Sequence, residues 1–182
     1  MQAQDLDHVV SSKSTITDLV TATDKHAERA IKEDVLTNFP SHGILAEESG
    51  ETSSDSAYQW VIDPLDGTTN FVHGLAPFCV SIALMKDNEP LLGVVSELPI
   101  GNLFWAVRDE GAYCNGKPIH VATTRSIADA LLITGFSYEH DYKWVTNMNL
   151  FKEFTNISQG VRRLGSAAAD LCYVACGKAD GF

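Results

Sequence analysis

The sequence predicts an α+β fold in which a mostly antiparallel sheet is flanked by helices. Apolar runs separated by short turn sequences follow one another from Tyr58 to Val121, as consecutive antiparallel strands do. Apolar residues recur with helical spacing on both sides of that region. A polar stretch at residues 122–128 marks a boundary. We therefore expect an N-terminal α+β domain over 1–125 and an incomplete C-terminal α/β domain over 126–182.

The first helix is predicted from Asp18 to Phe39. Ile31 and Val35 belong to a set of apolar residues at helical spacing, and Pro40 ends the segment because proline cannot continue a helix. The same criteria predict helices over Tyr142–Phe154 and Ser166–Cys176. The segment "ADALLITGF" before them has an apolar, strand-like middle.

The sheet is predicted from a set of short apolar segments. The segment "YQWVID" alternates and should end before Pro64, because the residue before proline favours extended backbone and the ring removes a donor. The small polar stretch "GETSSDSA" predicts an exposed loop. Further strands are expected in "FCVSIALM", "LLGVVSEL" and "NLFWAVRD", and Asn-Gly in "EGAYCNGKPIHV" predicts a tight hairpin.

Composition and charge exclude several classes of protein. The 182 residues are 45% hydrophobic, yet no run of about 18 apolar residues could span a membrane. The N-terminus lacks the basic flank and apolar stretch of a signal peptide. With 24 acidic and 13 basic residues the net charge is −11, which disfavours nucleic acid because binding requires cations that neutralise phosphates.

Three acidic residues, Glu47, Asp63 and Asp66, lie where strand-like segments end. Carboxylates that converge at such ends repel one another unless cations neutralise them. Oxygen ligands without His or Cys favour Mg²⁺, Mn²⁺ or Ca²⁺ over zinc. We therefore treat these three residues as candidate metal ligands.

The segment "DPLDGTTN" offers further groups beside the acids. Pro64 restricts the backbone so that both aspartates can point to one side of a tight turn, with the carbonyl of Leu65 between them as a further ligand. Gly67 permits close approach, and amides at a helical turn beginning with Thr68 could hold a phosphate. An ordinary turn is the alternative interpretation, since Asp, Pro and Gly are common in turns.

The chain resembles the inositol monophosphatase family, within the wider group of Mg²⁺-dependent, lithium-sensitive phosphatases. The matching pieces are "DLVTATD" at 18–24, "ILAEES" at 44–49, "WVIDPLDGTTNFVHG" at 60–74 and "VRRLGSAAADLC" at 161–172. The stretch "LLITGFSYEHD" followed by "NLFKEF" looks like the inositol monophosphatase-like branch of phototrophs. The resemblance implies a layered αβαβα sugar-phosphatase fold.

The resemblance also implies a role for individual residues. Glu47, Asp63 and the Leu65 carbonyl would bind a first Mg²⁺, and Asp63 and Asp66 a second, among the two or three sites of the family. The backbone amides of Gly67 and Thr68 would contact phosphate, and the backbone around Ser166 and Ala167 would face the hydroxyl groups of the substrate. Lys13 would lie on the polar loop that closes over the site. The Thr68 hydroxyl, paired with Asp24, would help Glu47 activate a water between two ions about 4 Å apart.

The family pattern continues beyond Phe182, where a Trp-Asp motif normally supplies another ligand. We therefore expect a chain truncated at both ends, with the second metal site incomplete and little or no turnover. The predicted activity is hydrolysis of inositol monophosphate or a related small polyol phosphate. Alternatives are a histidinol-phosphate, sugar or nucleotide phosphatase of the same superfamily, or a non-catalytic relative that serves as a binding module.

The resemblance implies few partners beyond the phosphorylated polyol itself. We expect a homodimer for the full-length protein, and no nucleic-acid or membrane partner. The expected location is the cytoplasm, or the plastid stroma if the source is a phototrophic eukaryote; no transit peptide is visible in the sequence.

Overall fold

The computed structural model describes residues 10–12, 19–136 and 141–182. The strands and helices are β1 Val10–Ser12, β2 Leu19–Thr21, α1 Ala22–Asn38, β3 Gly43–Ala46, β4 Gly50–Thr52, β5 Tyr58–Asp66, α2 Thr68–Val72, β6 Cys79–Lys86, β7 Glu89–Glu97, β8 Asn102–Val107, β9 Gly111–Cys114, β10 Lys117–Pro118, β11 Leu131–Ile133, α3 Tyr142–Ile157, β12 Gly160–Arg162 and α4 Ala167–Ala175. None of the described helices is both long and apolar enough to span a bilayer.

The main sheet has eight strands in the order β10-β9-β8-β7-β6-β5-β3-β4. Strands β3 and β5 run parallel, and every other neighbouring pair is antiparallel. The predicted sheet flanked by helices is therefore confirmed, with one parallel pair added. That pair matters for the site, because parallel strands bring their carboxyl ends to the same edge of a sheet.

The core of the N-terminal part lies where α1 crosses the sheet. Val35 from the helix packs with Ile44, Ala46 and Ile62 of β3 and β5, and all four are buried. The apolar spacing that predicted the helix thus faces this cluster, because residues three and four apart share one helix face. This packing fixes α1 across the strands that carry Glu47 and Asp63.

Three predictions of local structure are wrong. The helix does not begin at Asp18, since residues 19–21 form a strand paired with β1. The predicted loop at residues 50–57 contains a strand over 50–52, because these residues pair with the edge of β3 despite their polar composition. The strand at Tyr58 does not end before Pro64 but continues to Asp66.

The C-terminal part consists of the parallel pair β11–β12 with helices α3 and α4. Asp141 caps α3 by accepting hydrogen bonds from the amides of Lys143 and Trp144, at 2.9 and 3.1 Å. Helix α4 contacts β6 and β7 of the main sheet. The predicted helices of this part are confirmed, with α3 extending three residues further, to Ile157. The proposed division at residue 125 stays a prediction.

Candidate metal and phosphate site

An irregularity in β5 brings two of the predicted acids to one face of the sheet. Asp63 pairs with Ser81 and Asp66 pairs with Cys79, so three steps on β5 oppose two steps on β6. Residues three apart on a regular strand point to opposite faces, but one extra residue restores the same face. Pro64 lies within this bulge, where its missing N–H costs no ladder hydrogen bond.

Glu47 reaches the same place from the end of β3. Its amide donates to the Ile62 carbonyl at 3.1 Å, which continues the parallel pairing one residue beyond the strand. The Glu47 and Asp63 carboxyl groups are joined by a hydrogen bond, and Asp66 lies close enough to act on Asp63 electrostatically. The structure thus brings together the three acids that the sequence singled out.

The environment of Asp63 disfavours its charged form. Burial, the neighbouring Glu47 and the charge of Asp66 raise the pKa of Asp63 from 3.8 to about 8, against a hydrogen bond from the Leu65 amide. That amide lies 3.0 Å from Asp63 Oδ1. A carboxyl group of this kind holds a proton at neutral pH unless a cation replaces it.

Asp66 is oriented by the start of α4. Its Oδ2 atom accepts hydrogen bonds from Ser166 Oγ and the Ala168 amide, both at 2.7 Å. Ser166 is itself the N-cap residue of α4 and is 1% exposed. Its side chain therefore holds Asp66, and only its backbone remains for the substrate contact that the resemblance implied. Ala167, the first helical residue, is exposed.

Within the described residues, no group of three or more His, Cys, Asp or Glu side chains is arranged so that it could hold a metal ion. In the structure Asp63 shares a hydrogen bond with Glu47, while Asp66 Oδ2 accepts hydrogen bonds from the start of α4. The donor set still fits a hard divalent cation, since it consists of carboxylates and a backbone carbonyl. A cation would also remove the repulsion that raises the pKa of Asp63.

Thr68 and Asp24 meet as predicted. The Thr68 hydroxyl lies 3.2 Å from Asp24 Oδ1 and 3.0 Å from the Leu65 carbonyl. Both neighbours are acceptors, so the single hydroxyl proton goes to one of them at a time. Asp24 is fully buried on α1. When the hydroxyl donates its proton to Asp24, the lone pairs of the hydroxyl oxygen can accept a hydrogen bond from another donor.

Gly67 is required where it stands. Its φ of 89° lies in the left-handed region, and an added Cβ would come within 3.0 Å of the Pro77 carbonyl oxygen and 3.2 Å of Ser166 Cβ. No side chain of the described residues caps α2. The first amides of a helix have no acceptor within it, so those of α2 can donate to another group.

The sequence prediction missed two buried polar residues around this site. Asn70, on α2, donates from Nδ2 to the carbonyls of Pro77 and Leu164, each at 2.7 Å, and so ties α2 to the segment before α4. Asp170 is 2% exposed on α4, and burial, then Asp66, raise its pKa to about 6 while Arg163 lowers it. Asn70 lies inside the quoted "GTTN" motif, but nothing local shows its distant partners.

A cavity of about 200 Å³ opens beside Asp66. Ser166 and Ala167 line one side, and Arg163 and Asp170 also reach it. Of the remaining predicted residues, Lys13 lies outside the described residues.

The mixed sheet flanked by helices is the layered α+β fold of solved inositol monophosphatases. One such structure, an IMPase/NADP phosphatase in complex with Mg²⁺ and phosphate, matches 95% of this chain and 64% of its own length with a TM-score of 0.81 and 28% identity. The chain itself belongs to the inositol monophosphatase family, whose model matches residues 1–182. The family that the sequence motifs resembled is thereby confirmed.

Two curated relatives are closer in sequence. The phosphatase IMPL1, chloroplastic, of Arabidopsis thaliana is 52% identical over 92% of this chain and 47% of its own length. An inositol-1-monophosphatase of Synechocystis sp. is 45% identical over 95% of this chain and 61% of its own length. The chain therefore spans about half to three fifths of these relatives.

Proposed function

We propose that this chain carries the metal- and phosphate-binding part of a Mg²⁺-dependent phosphomonoesterase that acts on inositol monophosphate or a related small polyol phosphate. The observation that carries the proposal is the bulge in β5, which puts Asp63 and Asp66 on one face beside Glu47. An ordinary turn would not require the half-buried Asp63 to interact both with Asp66 and with the exposed Glu47 that follows another strand.

The residues that would hold Mg²⁺ are Glu47, Asp63, Asp66 and, through its carbonyl, Leu65. All supply oxygen, the ligand that Mg²⁺ prefers. The bound ions would supply Lewis-acid chemistry, lowering the pKa of a water and neutralising charge on the phosphate. Asp63 would have to release its proton on binding, because its pKa of about 8 keeps it protonated near neutral pH.

Thr68 and its surroundings would serve the phosphate and the attacking water. The amides of Gly67 and Thr68 lie at the uncapped start of α2 and would donate to phosphate oxygens. The Thr68 hydroxyl, donating to Asp24, would accept a hydrogen bond from a water and so orient it. Glu47 would take part in the same orientation from the other side of the acid cluster.

The cavity beside Asp66 supports a small leaving group. Its volume of about 200 Å³ is below the roughly 300–1,000 Å³ typical of pockets for drug-sized ligands. The exposed start of α4 at Ala167 would face the polyol hydroxyls there. Synechocystis inositol-1-monophosphatase, at 45% identity, favours the same substrate class.

Further properties are proposed from the relatives. Membership of a family found in phototrophs, and a chloroplastic relative at 52% identity, support a place in the plastid stroma or the cytoplasm. We also propose a homodimer for the full-length protein, which size-exclusion chromatography with light scattering would test.

The test is a calorimetric titration of the chain with Mg²⁺ in the presence of phosphate. We expect one tighter and one weaker Mg²⁺ site in the wild type, and loss of the weaker site in Asp66→Asn. Identical isotherms for the two proteins would contradict the assigned ligands. A parallel phosphate-release assay ranks substrates by relative rate, however low the absolute rates are: release from inositol 1-phosphate should exceed release from histidinol phosphate and NADP, and the reverse order would reject the proposed substrate class.

A further inference from the structure

The buried face of α1 carries a second carboxylate one turn after Asp24. Glu28 is 4% exposed, and its Oε2 atom accepts a hydrogen bond of 2.7 Å from the backbone amide of Glu48. The spacing of four residues puts Asp24 and Glu28 on the same helix face. A buried glutamate is uncommon because the carboxylate loses its hydration. Glu28 therefore calls for an explanation that its own helix does not provide.

The hydrogen bond to Glu28 fixes the backbone directly after Glu47. The Glu47 amide donates to the Ile62 carbonyl at 3.1 Å, and the next amide donates to Glu28. The peptide units on both sides of Glu47 are thus held, although β3 has already ended at Ala46. Since the backbone on either side is fixed, the direction in which the Glu47 side chain leaves it is fixed as well.

The two acids of α1 act on the two halves of the site. Asp24 lies beside the Thr68 hydroxyl, at the start of α2, and Glu28 holds the turn after β3. The helix is in turn fixed on the sheet by Val35 and its neighbours in the core. One rigid element therefore sets the positions of segments that are 20 and 44 residues away along the chain.

We propose that Glu28 is a positioning residue for metal binding: it holds the Glu48 amide so that the Glu47 carboxylate faces Asp63. In this arrangement Glu28 acts through the Glu48 amide and is not itself a proposed ligand. The inference rests on the proposed function in one respect, that Glu47 is a Mg²⁺ ligand. Groups that orient metal ligands typically account for about 10–100-fold in metal affinity.

A purely structural role is the competing explanation. In that case Glu28 only satisfies a buried amide, and its loss would lower the free energy of unfolding without changing the Mg²⁺ affinity of the folded protein. A positioning role changes the affinity itself. Mg²⁺ dissociation constants, measured on folded protein, therefore separate the two explanations.

The experiment compares variants that change either the charge or the length of the Glu28 side chain. Glu28→Gln keeps a carbonyl oxygen at the same distance but removes the charge. Glu28→Asp keeps the charge but is one methylene too short to meet the Glu48 amide. Glu33→Gln, an exposed acid on the same helix, is the matched control. Mg²⁺ affinity is measured by calorimetry, and thermal unfolding establishes that each variant is folded.

We expect Glu28→Asp to bind Mg²⁺ about 10–100-fold more weakly, and Glu28→Gln and Glu33→Gln to bind close to the wild type. Glu28→Met fills the same space without accepting the hydrogen bond and gives the same test if the shorter aspartate does not fold. Wild-type affinity in the folded Asp or Met variant would overturn the proposal, as would an equal loss in Glu28→Gln. Absence of Mg²⁺ binding by the wild type would instead reject the proposed function.

Discussion

Two carboxyl groups on the same face of the sheet, the buried Glu97 and the half-buried Asp63, have opposite surroundings. Glu97, at the end of β7, is fully buried and accepts hydrogen bonds from Asn102 Nδ2, at 2.8 Å, and from the Tyr173 hydroxyl. Asp63, in β5, faces Glu47 and Asp66 instead. One acid is surrounded by neutral donors, and the other by acids.

Glu97 lies close to the acids around Asp63, so its position in the sheet does not explain the difference in surroundings. Cys79 of β6 pairs with Asp66 on one side and with Glu97 on the other. Asp66 and Glu97 therefore stand in one row, two strand spacings or about 10 Å apart. The Cys79 thiol between them is buried, and burial raises its pKa to about 12, so it adds no charge to either group.

The hydrogen-bond donors around each carboxyl group determine whether its charge is compensated within the protein. The hydrogen bonds to Glu97 are made within the protein, and the acid raises the pKa of Tyr173, although burial contributes more. The pKa of Asp63 rises because burial and neighbouring acids oppose its charge, and the hydrogen bond from the Leu65 amide lowers it only in part. A buried carboxylate thus indicates a cation site only when its neighbours are also carboxylates.

The largest expected effect is that of Asp63→Asn. Removing this proposed ligand should weaken Mg²⁺ binding more than about 100-fold, beyond the loss typical of groups that only orient ligands. The metal-free variant should be at least as stable as the wild type near pH 8, because a neutral amide is not repelled by Glu47 and Asp66. Calorimetry and urea unfolding measure the two quantities, with the exposed Asp55→Asn as control. Full Mg²⁺ affinity in Asp63→Asn would place the metal elsewhere.

An intermediate effect is expected on changing pH. The folded pKa of Asp63, about 8, exceeds its ordinary value of 3.8, so between these values the metal-free folded state binds more protons than the unfolded state. Its stability should therefore fall as pH rises through this window, by at most about 1.4 kcal/mol per pH unit, and level off above pH 8. Urea unfolding at several pH values measures the slope.

Mg²⁺ affinity should change in the opposite direction. It should increase with pH up to about 8, by at most about tenfold per unit, because binding displaces the Asp63 proton. Asp63→Asn is the control for the stability slope, which it should flatten. A Mg²⁺ dissociation constant that does not vary between about pH 6 and pH 8 would show that no such proton is released.

The smallest expected effect is that of Tyr173→Phe. The change removes the hydroxyl that donates to Glu97 and leaves a buried carboxylate oxygen without this partner, which should cost about 1–3 kcal/mol of unfolding free energy. Mg²⁺ affinity should not change, since Glu97 is not one of the proposed Mg²⁺ ligands. Tyr113→Phe, whose hydroxyl donates to the Glu110 carbonyl near the surface, is the matched control. Weaker Mg²⁺ binding in Tyr173→Phe would show that the surroundings of Glu97 influence the proposed metal ligands.

Local pattern was a good guide to most elements, and two of its three errors have a clear physical reason. The apolar runs of β6, β7 and β8 were readable because most of their residues are half-buried or buried, and the helical spacing of α1 was readable because Ile31 and Val35 face the core cluster. The strand at 50–52 was missed because polar residues at a sheet edge gain pairing without burial. The continuation of β5 past Pro64 was missed because a bulge lets proline stay in a strand.

The chemical types of the proposed ligands follow from the sequence alone: Glu47, Asp63, Asp66 and the glycine turn at Gly67 are local features whose spacing and family resemblance can be read along the chain. Only the tertiary structure decided which distant groups hold them. Ser166 fixes Asp66 across 100 residues, and Glu28 fixes the amide after Glu47 across 20. Such contacts depend on how helices pack on the sheet, and a single hydrogen bond between distant segments leaves no periodic trace in either of them.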